Sequence, residues 1–173
     1  MIKMFRERMH HGMMRERAYN LKEIVDFLGI NKDWDVADLG AGDGYFSKEF
    51  LKYARSVTAI DIDIDCCSDE LKEMGIKTIK ADLCKYSVGK YHLLFMANVY
   101  HGLRRSCRES ILNNMAKMSL KYIAILDFNE KRLFGPPFRV KKEEVIDDFL
   151  SVGFKVVKIK DLEFHYLILF EKS

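Results

Sequence analysis

The chain has 173 residues, of which 49% are hydrophobic and 32% charged, and its formal net charge is +3. This length fits one domain, so we expect a single domain over residues 1–173. The net charge is too small to indicate a nucleic-acid partner by itself. No apolar stretch approaches the ~20 residues that span a bilayer. No secretory signal is evident. We therefore expect a cytoplasmic protein with no membrane partner.

Residues 1–20 form a basic, methionine-rich segment that carries an excess of positive charge. We interpret this segment as a candidate lid over a binding site. Residues 21–173 are then expected to form the core of the domain.

Apolar runs alternate with stretches of helical periodicity along the rest of the chain. The predicted elements are a helix over 20–28, a strand over 34–39, a helix from the glycines to about 54, a strand over 56–61, a helix over 67–74, strands over 76–80 and 91–96, a helix from 106, a strand over 122–127, a helix over 141–152, and β-runs over 154–160 and 163–170. Ser106 followed by Glu109 predicts a capping box at the start of the helix after the fourth strand. The alternation predicts an α/β, Rossmann-like, doubly wound, mostly parallel sheet with helices on both faces, and the short link between the last two runs predicts an antiparallel C-terminal hairpin.

The chain has four cysteines, and none of them forms a Cys-x-x-Cys pair. A disulfide framework is not expected in a chain of this size and class, and adjacent Cys66 and Cys67 are poorly placed for one tetrahedral metal site. We therefore predict reduced thiols at Cys66, Cys67, Cys84 and Cys107, and no metal site.

The most specific motif follows the first predicted strand and reads Asp38-Leu39-Gly40-Ala41-Gly42-Asp43-Gly44. Glycines let the backbone come close to a ligand, and N–H groups at a helix start can receive polar ligand groups. The third glycine of a dinucleotide fingerprint would fall on Tyr45, which disfavours an NAD oxidoreductase. Asp61 ends the second strand, at the place where a carboxylate about 20 residues past a glycine turn accepts hydrogen bonds from ribose hydroxyls.

This Asp-x-Gly-x-Gly-x-Gly pattern, followed by Asp61, resembles the class I S-adenosylmethionine-dependent methyltransferases. The resemblance implies a seven-stranded sheet with its last strand antiparallel, S-adenosyl-L-methionine as cofactor, and S-adenosyl-L-homocysteine as product. It also implies a cofactor site in which Asp38 holds the loop or receives the ammonium group and Asp61 binds the ribose. The further residues implied at this site are Gly40, Ala41, Gly42 and Gly44 beside the methionine part, Ile62 against the adenine, and Asp82 with the Leu83 backbone at the adenine amino group.

The loop after the fourth strand reads Ala97-Asn98-Val99-Tyr100-His101-Gly102. In the resembled family this segment passes beneath the sulfonium and the incoming nucleophile, so Asn98 is assigned to the cofactor side. His101 is a candidate general base. The alternatives for His101 are a hydrogen bond to the cofactor carboxylate and a cap on the next helix.

The same loop bears on the acceptor of the methyl group. Amino-methylating DNA and RNA enzymes show Asp/Asn/Ser-Pro-Pro-Tyr/Phe here, and residues 98–101 lack both prolines. We therefore expect a methyltransferase that acts on a small molecule, and nucleic acid is not favoured as a partner. The alternatives are an RNA or protein methyltransferase that docks through a basic rim, and a non-catalytic cofactor-binding module of a larger assembly.

The basic rim consists of arginines and lysines on three segments that are expected to surround the mouth of the site. They either favour an anionic substrate or form an ordinary solvated surface. The sequence leaves the oligomeric state open, a dimer included. The residues of this basic rim are Arg6, Arg8, Arg15, Arg17, Arg104, Arg105, Arg108, Lys131, Arg132 and Arg139.

Overall fold

The computed structural model describes residues 19–131 and 135–173, and the candidate lid lies almost wholly outside these residues. Seven strands and five α-helices are described, together with a 3₁₀ turn at Ile64–Cys66. The strands are β1 Asp35–Leu39, β2 Ser56–Asp61, β3 Lys77–Lys80, β4 Tyr91–Ala97, β5 Ser119–Phe128, β6 Phe154–Asp161 and β7 His165–Lys172. The helices are α1 Leu21–Leu28, α2 Tyr45–Phe50, α3 Ser68–Glu73, α4 Tyr100–Met118 and α5 Lys142–Ser151.

The strands form one seven-stranded sheet in the order β3-β2-β1-β4-β5-β7-β6. Strands β1 to β5 pair in parallel, and β7 runs antiparallel to both of its neighbours, β5 and β6. The predicted fold class is therefore confirmed, with the antiparallel strand inserted next to the edge. Strand order reverses between β1 and β4, and ligands of open α/β sheets bind beyond the carboxyl ends of the strands at such a point.

Helices cover both faces of the sheet and bury two apolar clusters. One cluster contains residues of α4 and α5, among them Met115 and Phe149, and the other contains residues of α1, α2 and α3, among them Ile24 and Phe50. In the central strand β4 the four residues from Leu93 to Met96 are fully buried, as expected for a strand that is covered on both faces.

Helix α4 differs from its prediction in where it begins. It starts at Tyr100, and its helical geometry is interrupted at Cys107, where φ is −153° and ψ is 45°. Ser106 immediately precedes this interruption, so the helix predicted from 106 corresponds to the second segment of α4, and the segment that begins at Tyr100 was not predicted. The first turn is capped from a different strand, because Asp127 on β5 accepts the backbone N–H of His101 at 2.9 Å.

The prediction of reduced thiols is wrong for two of the four cysteines. Cys84, in the turn after β3, and Cys107, at the interruption of α4, form a disulfide with their Cα atoms 5.8 Å apart. The sequence separation of 23 residues gave no sign of this pairing, because it depends on how the turn packs against the interrupted helix. Cys66 keeps a free thiol.

Within the described ranges, we find no helix whose length and apolar character would let it cross a bilayer.

Candidate functional site

The carboxyl ends of β1, β2, β4 and β5 meet at one edge of the sheet, and polar residues follow each of them. Pairing of Leu39 with Ile60 and with Met96 keeps the ends of β1, β2 and β4 level. The side chains at these ends form two groups, a cofactor side after β1, β2 and β3 and an acceptor side after β4 and β5.

The backbone N–H groups of the glycine loop are already used within the protein. Those of Gly40 and Ala41 donate to the carbonyl of Ile60 at 2.8 and 3.2 Å, and that of Gly42 donates to Oδ2 of Asp61 at 2.8 Å. These bonds fix the loop against β2, and a contact between a ligand and the N–H groups at the helix start stays a prediction.

Two of the glycines are required by close packing. A Cβ on Gly40 would lie 2.7 Å from Cγ2 of Val99, and a Cβ on Gly44 would overlap the side chain of Leu71. Both residues have φ in the left-handed region, at 74° and 80°. A Cβ on Gly42 would meet nothing within 4 Å, so the space above this residue is open.

Asp38 is buried and accepts a hydrogen bond from Oγ of Ser47 in α2 at 2.6 Å. Burial raises the pKa of Asp38 to about 7, and the hydrogen bonds from Ser47 oppose this rise. Because its carboxyl group ties the end of β1 to α2, the geometry favours the loop-holding role over capture of an ammonium group.

Two backbone N–H groups hold the carboxylate of Asp61, and its predicted role at the ribose stays a prediction. Its Oδ2 accepts from Gly42 and its Oδ1 accepts from the N–H of Asp63, each at 2.8 Å. Each carboxylate oxygen keeps a further lone pair for a hydroxyl donor. Ile62, next along the chain, is 57% exposed and offers an apolar surface for an adenine ring. These residues fit S-adenosylmethionine.

Asp82 and Leu83 form a turn held from two sides. Oδ1 of Asp82 accepts the N–H of Cys84 at 2.9 Å, and the carbonyl of Leu83 accepts from Nδ2 of Asn114 at 2.9 Å. Asp82 thus shapes the turn itself, and its second oxygen has no such bond in the described part of the chain. A role at the adenine stays a prediction for both residues.

Asn98 stands at the centre of the acceptor side, in a conformation that is uncommon for a residue with a side chain. Its φ is 60°, its N–H donates to the carbonyl of Leu126 at 2.8 Å, and its Nδ2 donates to Oη of Tyr19 at 2.5 Å. The Oδ1 atom of Asn98 is buried and has no hydrogen-bond partner among the described residues. Tyr19 in turn shares a 3.0 Å hydrogen bond with Nε2 of His165 on β7.

His101 lies next to Asp127, a residue for which the sequence suggested no role. Nδ1 of His101 is 2.9 Å from Oδ1 of Asp127, whose side chain is 1% exposed. The ring of Phe128 lies edge-on to His101, with 6.1 Å between ring centroids. No role was assigned to Asp127 from the sequence, but its position was a usable signal, because Asp127 lies one residue before the end of β5 as Asp38 does in β1.

The basic rim is only partly free to meet a substrate. Arg104 donates through Nε to Oδ2 of buried Asp148 at 2.7 Å, and Arg108 pairs with the other oxygen of Asp148. Arg105 stacks over the ring of Phe138 at 3.7 Å from its centroid. The arginines at positions 6, 8, 15, 17 and 132 lie outside the described residues.

The sequence model described as "Ribosomal RNA adenine dimethylase" matches residues 17–138. The chain belongs to this family. The rRNA adenine N-6-methyltransferase of Bacillus licheniformis is 25% identical to this family member over 122 residues, which are 68% of this chain and 42% of that protein. The chain spans less than half the length of the curated relatives it matches.

Solved structures share the fold of this family member. A SAM-dependent methyltransferase from Aquifex aeolicus has a TM-score of 0.79 at 19% identity, covering 90% of this chain and 91% of that one. The magnesium protoporphyrin IX methyltransferase ChlM from Synechocystis, with bound S-adenosylhomocysteine, has a TM-score of 0.74 at 15% identity, covering 88% of this chain and 82% of that one. The predicted class I S-adenosylmethionine-dependent methyltransferase family and fold are thus confirmed.

The expectation that nucleic acid is not favoured as a partner is wrong. The family and the curated relatives are named for methylation of adenine in ribosomal RNA, which contradicts it. The missing prolines misled because they exclude only one way to build the loop after β4. Here the left-handed φ of Asn98 and its hydrogen bond to Leu126 make the turn without a proline.

Proposed function

We propose that this chain binds S-adenosylmethionine at the carboxyl edge of its sheet and methylates the exocyclic amine of adenine in ribosomal RNA. Family membership and the names of the curated relatives support this acceptor over the small molecule expected from the loop sequence. The structural observation that carries the proposal is the placement of Asn98, which stands at the end of β4 with a left-handed φ and an amide held by Tyr19.

The residues that bind the cofactor lie at the ends of β1 and β2. Asp61 accepts from the ribose hydroxyls, Ile62 lies against the adenine, and the open space above Gly42 takes the methionine part. Asp38 works indirectly, by tying the glycine loop to α2. When bound, the cofactor supplies a methyl group on a sulfonium, which is electrophilic without further activation.

Asn98 orients the acceptor amine. The Asn98 side chain is only partly buried, so its amide can form a hydrogen bond with the amine of the target adenine, and losing such a bond costs about 1–3 kcal/mol. Tyr19 keeps the amide in place by accepting its N–H at 2.5 Å, and Val99 packs this loop against Gly40 of the cofactor side. The amine is thereby held beside the methyl group, and such placement is the main requirement of a direct displacement.

Transfer of labelled methyl from S-adenosylmethionine to protein-free bacterial ribosomal RNA tests the proposal, with nucleoside analysis of the digested product. We expect N6-methylated adenosine, and we expect Asn98→Ala to lower the rate roughly 10- to 100-fold, the equivalent of one lost buried hydrogen bond. Asn31→Ala, in an exposed turn before β1, is the matched control, because its side chain bonds only the N–H of Asp33 at 2.9 Å.

Calorimetry with S-adenosylhomocysteine separates the possible roles of Asn98. If Asn98→Ala binds S-adenosylhomocysteine as tightly as the wild type, Asn98 contacts the acceptor. If the affinity falls strongly, Asn98 contacts the cofactor. Binding of S-adenosylhomocysteine without any methylated adenosine would refute RNA methylation by this chain and favour a non-catalytic cofactor-binding module.

A further inference from the structure

The contact between His101 and Asp127 is more elaborate than a helix cap requires. The buried carboxylate accepts two backbone N–H groups, from His101 at 2.9 Å and from Phe128 at 2.8 Å, and it also meets the imidazole of His101. Nδ1 of that ring lies 2.9 Å from Oδ1 and 3.2 Å from Oδ2 of Asp127. Backbone and ring of the same histidine are therefore fixed by one carboxylate.

This arrangement decides which ring nitrogen carries the proton. A carboxylate that already accepts two N–H groups acts as an acceptor toward the ring, so Nδ1 of His101 carries its hydrogen and donates. Nε2 then holds the lone pair. No described residue makes a hydrogen bond to Nε2, and the His101 side chain is 18% exposed.

The surroundings of His101 are mostly aromatic, with few charges. Phe128 lies edge-on to the ring, and His165 on β7 stacks against the other side of Phe128 at 4.6 Å. Burial lowers the pKa of His165 to about 4, so it is neutral in the physiological range. Charged groups near the ring include Asp127, Arg139, whose guanidinium lies 5.2 Å from the centroid of Phe128, and Arg105, which is one helical turn further along α4.

We infer that Asp127 is a positioning residue that holds His101 as the proton acceptor of the methyl transfer, with Nε2 directed at the acceptor amine. The inference rests on the proposed function for the identity of the amine. His101 directly follows the Asn98–Tyr100 turn, and Val99 of that turn packs against Gly40 of the glycine loop.

The step balances without any further reagent. The amine nitrogen forms a bond to the methyl carbon, the carbon–sulfur bond breaks, and its electron pair stays on sulfur. The surplus proton of the methylated nitrogen passes to Nε2 of His101, and the carboxylate of Asp127 stabilises the resulting imidazolium through Nδ1–H.

The tautomer can be read without RNA from a two-bond ¹H–¹⁵N correlation spectrum, with the His101 signals assigned by their loss in His101→Gln. We expect Nδ1–H in the wild type. His92 provides an internal reference of the opposite kind, because its Nδ1 accepts the N–H of Asp35 at 2.9 Å and its proton must sit on Nε2. In Asp127→Asn the new amide can donate to Nδ1, so we expect His101 to change to the Nε2–H form.

The kinetic readout uses the same variants in the methyl-transfer assay. We expect Asp127→Asn and His101→Gln to lower kcat roughly 100-fold, the size typical of a positioned general base, with affinity for S-adenosylhomocysteine and KM for RNA as in the wild type. Asp35→Asn is the matched control, since Asp35 stands beside His92 at the amino end of β1.

Each outcome bears on the inference separately from the proposed function. An Nε2–H tautomer of His101 in the wild type overturns the inference. It is also overturned if Asp127→Asn melts at a lower temperature but keeps the wild-type tautomer of His101 and the wild-type kcat, because Asp127 is then a helix cap only. If no RNA is methylated, the proposed acceptor fails, while the tautomer and its change in Asp127→Asn still decide whether Asp127 sets the proton position on His101.

Discussion

Two buried groups with opposite pKa shifts should make the stability of this domain nearly independent of pH between about 4.5 and 6. Burial lowers the pKa of His165 from 6.5 to about 4 and raises that of Asp38 from 3.8 to about 7. In this window the unfolded chain binds a proton at His165 and none at Asp38, whereas the folded chain does the reverse. The two states bind equal numbers of protons at these residues.

Removing one group exposes the contribution of the other. Each unit of pKa shift corresponds to about 1.4 kcal/mol, so burial lowers the free energy of unfolding by up to about 3 kcal/mol at His165 and up to about 4 kcal/mol at Asp38. In His165→Phe only Asp38 remains, and it binds a proton in the folded state alone, so the free energy of unfolding should fall by about 1.4 kcal/mol per pH unit as pH rises. In Asp38→Asn only His165 remains, and it binds a proton in the unfolded state alone, so the free energy of unfolding should rise with pH at the same rate.

Urea unfolding followed by the fluorescence of Trp34 at several pH values measures these slopes. The slope, and not the absolute stability, carries the prediction, since either substitution can also change packing. The two variants serve as mutual controls because a general effect of mutation would tilt both curves the same way. Equal slopes in the wild type and both variants would refute the reasoning, because neither group would then titrate between its folded and unfolded values.

Three further substitutions test other parts of the site. Asp61→Ala should weaken binding of S-adenosylhomocysteine roughly 10- to 100-fold in calorimetry, since it removes the acceptor of the ribose hydroxyls, while Asp63→Ala should not. Asp148→Asn should lower the free energy of unfolding by about 1–3 kcal/mol in urea titrations, because it replaces a buried carboxylate that accepts from Tyr100 and Arg104, while the arginines keep contact with solvent; a loss below 1 kcal/mol would contradict this role. Gly40→Ala should lower the melting temperature, since its Cβ would lie 2.7 Å from Val99, and adding Val99→Ala should restore only part of the loss because φ stays at 74°.

The positions of the predicted cofactor residues at the strand ends could be derived from the sequence because their signals are local. Asp38 to Gly44 and Asp61 lie where short apolar runs end, and the alternation of strands and helices brings those ends to one edge of the sheet. The topology followed as well, since a short link between two β-runs permits only an antiparallel pair. What the sequence did not show is that Gly42 and Asp61 bond to each other.

The acceptor side was poorly predictable because its contacts join distant segments. Asn98 bonds to Tyr19, 79 positions away, and Tyr19 bonds to His165, 146 positions away. The disulfide between Cys84 and Cys107 is of the same kind. No periodicity or spacing encodes such pairs, since they arise only once the sheet has placed the strand ends side by side.

The loop after β4 explains why absent prolines are a poor guide to the acceptor. Proline stiffens a loop by fixing φ, and buried hydrogen bonds can stiffen it equally well. Here the fully buried Tyr100 donates its hydroxyl to Asp148 at 2.6 Å, and burial together with this bond raises the pKa of Tyr100. The next residue, His101, is held by Asp127 through both its backbone and its ring. A proline at position 100 would carry no hydroxyl for Asp148, so in this chain the missing prolines go together with a loop that is anchored by carboxylates from β5 and α5.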